Sequence, residues 1–227
     1  MTTGIILLNF GEPTTPDESR IVEYLERIFL ANAEVESGRG GDAASRARAL
    51  AERRAPGLVE EYEAIGGSPL DQQSADQAEA LEATLHDRGF TDVTTYVGMQ
   101  YTDPLVEDAV ARARADDVDT LVGLPVYPLS GPSTTVAALQ ELDAAVEALD
   151  WDVAVDNLTG WHRHPRYLRL RTDAIRTVAA DRGLDLQHPE TELVFSAHGT
   201  PQHYVEEGSR YVEYVTEWCA LVARLLA

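Results

Sequence analysis

The sequence contains no lysine. All 18 of its basic residues are arginines, they face 39 aspartate and glutamate residues, and the formal net charge is -21. A chain this acidic repels phosphate backbones and anionic headgroups, so nucleic acid and membrane surfaces are not expected partners. Its acidic residues are spread along the chain. Such surfaces resemble those of proteins from salt-saturated cytoplasm, where salt screens self-repulsion, so we attribute the charge to habitat.

Cysteine is almost absent as well. Cys219 stands alone in an apolar helical pattern, which predicts a buried thiol and excludes an internal disulfide or a cysteine cluster for zinc or iron–sulfur. The start, Met1–Gly4, lacks the charged region of a signal peptide. No apolar run approaches the ~20 residues that cross a bilayer. These absences predict a soluble, cytoplasmic protein without a transmembrane segment.

The common nucleotide and hydrolase motifs are also missing. The first predicted strand is not followed by Gly-x-Gly-x-x-Gly, and the chain has neither Gly-x-x-x-x-Gly-Lys-Ser/Thr nor Gly-x-Ser-x-Gly. Instead, that strand ends in Asn9–Pro13, which is typical of a turn. Nucleotide binding and serine hydrolysis are therefore excluded as leading interpretations.

What the chain does contain is a regular alternation of strand and helix patterns. This alternation predicts an α/β fold with parallel sheets flanked by helices. We place a first Rossmann-like unit at residues 1–149 and an incomplete second unit at 150–227, with a polar, glycine-rich loop at Ala33–Asp42. Strands are predicted at 5–10, 93–99, 120–126, 151–157 and 193–197. Helices are predicted at 17–30, 43–65 with an interruption near Pro56, 71–88, 104–115, 133–148, 164–181 and 211–226.

His198 is the most informative residue. It follows the apolar run Leu193–Phe195, and Gly199 and Pro201 end that run at once. Ligands of open α/β sheets bind at the carboxyl ends of strands. A histidine there can accept a proton or ligate a metal near neutral pH, and the alternative is a histidine hydrogen-bonded within a turn.

Further side chains with useful chemistry follow other predicted strands. Gln100 and Tyr101 bring an amide and a phenol to a strand end. The hydroxyls of Ser133–Thr135 are expected to cap the helix that starts there, and the same helix end is also able to hold a carboxylate.

The third such segment is Asn157–Pro165. Trp161 is expected to form part of an apolar wall for a flat ligand. Two histidines two residues apart are able to bind a metal, but we interpret His162 and His164 as exposed loop residues.

In combination, these segments resemble ferrochelatase, the enzyme family that inserts ferrous iron into a porphyrin during haem synthesis. Each motif is weak alone, but the ordered set is specific and covers the chain from end to end. The matching segments are Leu7–Pro13, Arg53–Pro56, Ile65–Leu70, Val97–Tyr101, Leu124–Pro128, Ser133–Thr135 and Phe195–Pro201.

The resemblance implies two Rossmann-like units with a porphyrin cleft between them, and protoporphyrin IX or coproporphyrin III as substrate. It implies that His198 faces the porphyrin centre, where it accepts pyrrole protons or ligates the incoming iron. The expected partners are therefore a porphyrin and ferrous iron as substrate metal. We expect no organic cofactor and no iron–sulfur cluster, and the oligomeric state stays open.

The resemblance also implies the residues that contact the porphyrin. Phe10, Tyr101, Tyr127 and Trp161 are the expected cleft walls. Arg54, Ser133 and Thr134 match positions near the cleft mouth, where a cation and helix-end donors can meet propionates.

Three departures from the family pattern keep alternatives open. The family's C-terminal portion, with the glutamate that partners the histidine, has no match in residues 202–227. Gln100 replaces an arginine of many relatives, and Phe10 replaces the tyrosine of coproporphyrin-type enzymes, so no axial phenolate can form. The rival functions are a chelatase that loads cobalt or iron into sirohydrochlorin and a non-catalytic porphyrin-binding remnant.

Overall fold

The computed structural model describes residues 1–33 and 42–227. The predicted loop Ala33–Asp42 falls, apart from its two end residues, outside the described residues. The described strands are β1 (Thr3–Asn9), β2 (Val93–Met99), β3 (Thr120–Pro125) and β4 (Ala154–Asn157). The described α-helices are α1 (Glu18–Ala33), α2 (Ala43–Ile65), α3 (Leu70–Asp87), α4 (Val106–Ala115), α5 (Ala137–Ala148), α6 (Pro165–Asp181), α7 (Gln202–Glu206) and α8 (Tyr211–Leu226).

The four strands form one sheet in the order β2-β1-β3-β4. Strand β1 pairs with β2 in parallel from Thr3 opposite Val93 to Asn9 opposite Met99, and β3 and β4 are also parallel. The predicted α/β class with a parallel sheet flanked by helices is therefore confirmed. In this parallel arrangement, the carboxyl ends of β1, β2 and β3 lie at one edge of the sheet, which is the edge where ligands of such folds bind.

Apolar side chains packed between the sheet and the helices α4 and α5 build the core that fixes this edge. Ile6 and Leu8 of β1 are fully buried, as are Leu121 of β3 and Leu142 of α5. Burial of each such side chain contributes about 1.5–3 kcal/mol. A second apolar cluster lies between α1 and α2 and includes the buried residue Ile21.

Helix α2 continues through Pro56, so the predicted interruption there is wrong. A proline inside a helix costs about 3 kcal/mol because it removes a hydrogen bond and crowds the preceding turn. The cluster with α1 buries helix residues on both sides of the proline: Ala51 and Ala55 before it, and Tyr62 after it. Packing on both sides of the proline therefore holds the helix together.

Contacts divide the chain into two compact units, residues 1–124 with 138–157, and residues 125–137 with 158–227. The predicted boundary after Leu149 falls inside the first unit, because β4 pairs with β3 in the same sheet. The second unit contains α6, α7 and α8, with a small core of Leu168, Val222 and Leu226.

The strand predicted at 193–197 is not formed: the described residues 191–200 belong to neither helix nor strand. The described part of the second unit contains no strand with which this segment could pair, and a lone strand is not stable in water. Among the described residues, no helix is long and apolar enough to cross a membrane.

Candidate functional site

Two strand ends in the first unit are joined by backbone and side-chain hydrogen bonds. The amides of Gln100 and Tyr101 donate to the carbonyls of Asn9 and Phe10 at 2.9 and 3.0 Å, which aligns the chain leaving β2 with the chain leaving β1. The buried Asn9 amide donates to the hydroxyl of Ser74 at 2.9 Å, and its side-chain oxygen accepts from the Phe10 amide at 2.8 Å. These contacts fix the position of Phe10 beyond the strand.

Phe10 and Tyr101, both predicted cleft-wall residues, lie together in an aromatic cluster. Their ring centroids are 4.6 Å apart in an edge-on arrangement, and Tyr24 contacts both rings at 6.5 Å. Tyr101 is only 6% exposed, whereas Phe10 is half-buried and presents part of its ring. Within this unit, Phe10 therefore exposes apolar ring surface, and the buried ring of Tyr101 packs against it.

A cluster of ionisable side chains beside these aromatics was missed by the sequence interpretation, which treated Glu12 as part of a turn. The Ser68 hydroxyl donates to the Glu12 carboxylate at 2.5 Å. Burial raises the pKa of Asp71, and the charge of Glu12 raises it further. Burial and the same charge raise the pKa of Tyr62 to about 12. Glu12 and Asp71 line a cavity of 350 Å³. Sequence patterns do not reveal this pair, because the two residues lie far apart in the chain.

Gln100 supports a second carboxyl group that the sequence did not reveal. Its side-chain amide donates to Glu141 at 3.1 Å, and both residues line a cavity of 560 Å³ with the apolar residues Leu105 and Val106. Burial raises the pKa of Glu141, although the hydrogen bond from Gln100 opposes this shift. The amide that stands in place of the expected arginine therefore holds a partly buried carboxyl group.

Arg54 lies exposed on α2 and makes no hydrogen bond or ion pair with the residues that the structure describes. By contrast, Arg48 on the same helix forms ion pairs with Glu26 and Glu52 at 3.1 and 2.8 Å. The predicted contact of Arg54 with a propionate stays a prediction.

In the second unit, Trp161 and Tyr127 are both half-buried. The Trp161 indole N–H donates to the Pro125 carbonyl at 3.2 Å, and its ring meets Tyr167 edge-on at 5.0 Å. These contacts fix the indole in one orientation, which suits the predicted wall role.

The predicted capping role of Ser133–Thr135 is wrong. Residues Pro132–Val136 form a π-helical turn that begins at Gly131 without a side-chain cap. Thr134 donates its hydroxyl to the Gly131 carbonyl at 3.4 Å, and Ser133 is exposed. The Thr135 hydroxyl oxygen is buried and has no hydrogen-bond partner among the described residues. Because the turn is π-helical, these hydroxyls do not reach the first helical amides, and Ser133 is left accessible.

His162 is buried rather than exposed, which corrects the sequence interpretation. It is 2% exposed, lies 3.3 Å from the Glu217 carboxylate and packs on the Tyr214 ring at 5.0 Å. The pKa of Glu217 is lowered by the hydrogen bond from Arg163 and, to a smaller extent, by that from His162. His164 is exposed, as predicted, and its Nδ1 accepts from the Arg166 amide at the start of α6. His162 therefore anchors α8, and it is not a surface metal ligand.

His198 is exposed in the extended segment that precedes α7. Its carbonyl accepts a hydrogen bond from Tyr211 at 3.4 Å, but its imidazole makes no hydrogen bond with any described residue. Phe195, three residues earlier, packs edge-on against Trp218 at 6.0 Å. The alternative of a histidine hydrogen-bonded within a turn is therefore not supported, and the imidazole is available as a base or ligand.

The described residues contain no group of three or more histidine, cysteine or acidic side chains placed to hold a metal ion. Cys219 is half-buried, and burial raises the pKa of its thiol, so it is a weak nucleophile and metal ligand. Of the predicted site residues, the structure brings Phe10 and Tyr101 together, while Arg54, Ser133 and His198 are each exposed.

Comparison with known proteins identifies the family of this chain. The family model described as Ferrochelatase matches residues 2–227. The chain belongs to the ferrochelatase family. It is 33% identical over 219 residues to the ferrochelatase of Desulfotalea psychrophila, and 33% identical over 233 residues to that of Parasynechococcus marenigrum. A third relative, the ferrochelatase of Geobacter metallireducens, is 30% identical over 223 residues.

These alignments cover nearly all of this chain but leave a third or more of each relative unmatched. They include 95%, 99% and 97% of the chain, in the same order, but only 65%, 57% and 67% of the relatives' own lengths. More than a third of the first two ferrochelatases therefore has no counterpart in these 227 residues.

Proposed function

We propose that this protein takes part in haem biosynthesis as a ferrochelatase, a metal-chelating lyase that inserts Fe²⁺ into protoporphyrin IX or coproporphyrin III. The observation that carries the proposal is the exposed imidazole of His198, which has no hydrogen-bond partner among the described residues, in a chain of the ferrochelatase family. Ferrous iron is the substrate metal in this proposal, and no organic cofactor or iron–sulfur cluster takes part.

The chemistry needs a group that can manage protons or metal near neutral pH. Insertion of Fe²⁺ into a porphyrin displaces two pyrrole N–H protons, so a neutral imidazole promotes it either as the proton acceptor or as a transient iron ligand. His198 supplies that imidazole. Of the other histidines of the second unit, His162 is buried against Glu217, and His164 and His188 each accept a hydrogen bond from a backbone amide. His203 is exposed like His198 but lies outside the matching segment Phe195–Pro201.

The substrate contacts follow from surface and charge. Phe10, Tyr127 and Trp161 present partly exposed aromatic surface for the flat macrocycle. Arg54, whose guanidinium has no partner in the part of the chain that the structure describes, offers a cation to the propionates, and Ser133 and Thr134 offer hydroxyls. Tyr101 acts by holding Phe10 in place, since its own ring is buried.

A binding panel separates this proposal from a sirohydrochlorin chelatase. We expect protoporphyrin IX or coproporphyrin III to bind more tightly than sirohydrochlorin, because the partly exposed rings of Phe10, Tyr127 and Trp161 suit a macrocycle with few carboxylates better than one with eight. The measurement is quenching of ligand fluorescence on titration with the protein at molar salt. Arg54→Gln is expected to weaken binding of the propionate-bearing porphyrins, with Arg53→Gln, an exposed neighbour on α2, as the control. Tighter binding of sirohydrochlorin would favour the rival function.

Iron insertion itself is best measured on a protein that also contains the part of a ferrochelatase with no counterpart in these 227 residues. We define the completed protein as residues 1–227 followed by the part of the Desulfotalea psychrophila ferrochelatase that this chain does not match. We expect the 227-residue chain to be a weak or inactive chelatase and the completed protein to be active and better folded.

We further propose that the protein works in a halophilic cytoplasm. The support is the charge of -21 with no lysine, since a surface of one sign repels itself unless salt screens it. The Debye length falls from about 10 Å at 0.1 M salt to about 3 Å at 1 M. We therefore expect the melting temperature, followed by circular dichroism, to rise between 0.1 and 1 M KCl. A flat or falling melting temperature would contradict the halophilic proposal.

A further inference from the structure

The cavity of 560 Å³ in the first unit takes no part in the proposed function. It is lined by residues of α1, α4 and α5 and by the end of β2 with the segment that follows. None of the described lining residues is among those proposed to contact porphyrin or iron. Pockets for small molecules measure about 300–1,000 Å³. The cavity therefore has room for a ligand of its own.

Most of the wall of this cavity is apolar. Leu105 and Val106 line it at the start of α4, Ala145 and Leu149 line it near the end of α5, and Met99 lines it at the end of β2. Contact with such side chains removes apolar ligand surface from water, and this is the main favourable contribution to binding in pockets of this kind. The wall therefore suits a ligand with an apolar body.

A half-buried carboxyl group interrupts the apolar wall. Oε1 of Glu141 accepts a hydrogen bond from the side-chain amide of Gln100 at 3.1 Å, whereas Oε2 accepts none from the described residues. Gln100 is only 6% exposed, so its amide holds the carboxyl group in one position. Burial raises the pKa of Glu141, and among the described residues only the neutral amide of Gln100 opposes that rise. The carboxylate therefore lacks a cationic partner.

The other charged side chains of the lining do not supply that cation. Arg27 donates to the Tyr101 carbonyl at 3.2 Å and to the Asp103 carboxylate at 3.4 Å. Glu107 is exposed and adds a second negative charge. The charge that remains uncompensated at the cavity is therefore negative, which favours a cationic ligand and disfavours an anionic one.

We propose that this cavity binds a small organic cation that consists of a primary ammonium group on an apolar body. The ammonium group donates to Oε2 of Glu141 while Gln100 keeps its bond to Oε1, and the apolar body lies against Val106 and Ala145. Hydrogen bonds between ionised partners are about twice as strong as neutral ones, so the ammonium–carboxylate contact determines which ligands bind. All the lining residues belong to the first unit, and the inference does not depend on iron insertion.

Three probes of similar shape but different charge test the proposal on the 227-residue chain: 2-phenylethylamine, 2-phenylethanol and 3-phenylpropionate. We expect the amine to bind about tenfold more tightly than the alcohol, or better, and the propionate to bind most weakly. Two-dimensional amide NMR gives the affinities, and the largest shifts should include the amides of Val106 and Ala145. The titrations are made in 1 M KCl, where the Debye length of about 3 Å screens general attraction of amines to an acidic surface but screens a partly buried pair much less.

Three variants separate the contributions of charge and cavity. Glu141→Gln keeps the shape of the side chain and removes its charge, so it should bind the amine no more tightly than the alcohol and leave alcohol binding unchanged. Glu147→Gln is the matched control, because Glu147 is exposed on the same helix but does not line the cavity, and the preference for the amine should persist there. Ala144→Leu fills the cavity from an exposed position and should weaken binding of both amine and alcohol about tenfold.

Several results would overturn the proposal. They are equal binding of the amine and the alcohol by the parent chain, a preference for the amine that persists in Glu141→Gln or is lost equally in Glu147→Gln, and unchanged binding in Ala144→Leu. Shifts that avoid residues 99–107 and 141–149 would overturn it as well. A chain that selects the amine but inserts no iron would support this inference and count against the proposed function, whereas iron insertion without amine binding would do the reverse.

Discussion

His198→Ala is expected to lower iron insertion by the completed protein about 10²–10⁴-fold, the range typical of a lost general base. Porphyrin binding should stay largely unchanged. The reason is that His198 is exposed and its imidazole supports no described hydrogen bond, so its removal takes away chemistry without disturbing the fold. Absorbance of the metalloporphyrin follows insertion, and fluorescence quenching follows porphyrin binding.

The matched control for this variant is His203→Ala. His203 is also exposed, lies five residues further along the chain, and contacts the ring of Tyr204 at 4.4 Å. Its loss should leave iron insertion close to that of the parent. Unchanged turnover in His198→Ala, or an equal loss in both variants, would remove His198 from the chemistry.

Gly67→Ala is expected to destabilise the chain by about 3–5 kcal/mol, near the upper end for single substitutions. Gly67 has a φ of +89°, and a Cβ there would lie 2.2 Å from the Thr14 carbonyl oxygen. Thr14 lies in the loop that follows Phe10 and Glu12, and Ser68, the next residue after Gly67, donates to Glu12. Relief of the clash must move residue 67 or the loop at Thr14, which disturbs the contact between Ser68 and Glu12 beside Phe10, so porphyrin binding should weaken as well.

Gly89→Ala is the control that isolates this clash. Gly89 has nearly the same conformation, with a φ of +91°, but a Cβ there meets nothing within 4 Å. It should cost only the left-handed backbone penalty, about 1–2 kcal/mol. At about 2–4 °C per kcal/mol for a domain of this size, the melting temperature should fall about 10 °C in Gly67→Ala and clearly less in Gly89→Ala. Equal shifts would show that contact with Thr14 is not what requires glycine at residue 67.

Patterns local in sequence predicted the first unit well. The apolar runs that end in glycine or in polar residues predicted β2 to the residue and β1 to within two residues, and alternation with helices predicted the parallel sheet. The ordered motifs predicted the family, because they depend on residue identity and spacing and not on three-dimensional contacts.

The failures share a different physical cause, which is dependence on distant partners. The run 193–197 has the composition of a strand, but a strand needs a neighbour, and the described second unit supplies none. His162 resembled a loop histidine because Glu217 and Tyr214, which bury it, lie more than fifty residues away. Glu12 and Glu141 gained their environments from Ser68 and Gln100 in the same way, and sequence patterning does not detect such pairs.

Anaerobic iron insertion by the completed protein tests the central claim most directly. The protein is supplied with Fe²⁺ and either protoporphyrin IX or coproporphyrin III at molar KCl, and the absorbance of the metalloporphyrin is followed with time. The account predicts steady formation of haem or its coproporphyrin equivalent, at a rate proportional to protein concentration. A folded protein that quenches porphyrin fluorescence but inserts no iron would contradict the account and favour a porphyrin-binding remnant.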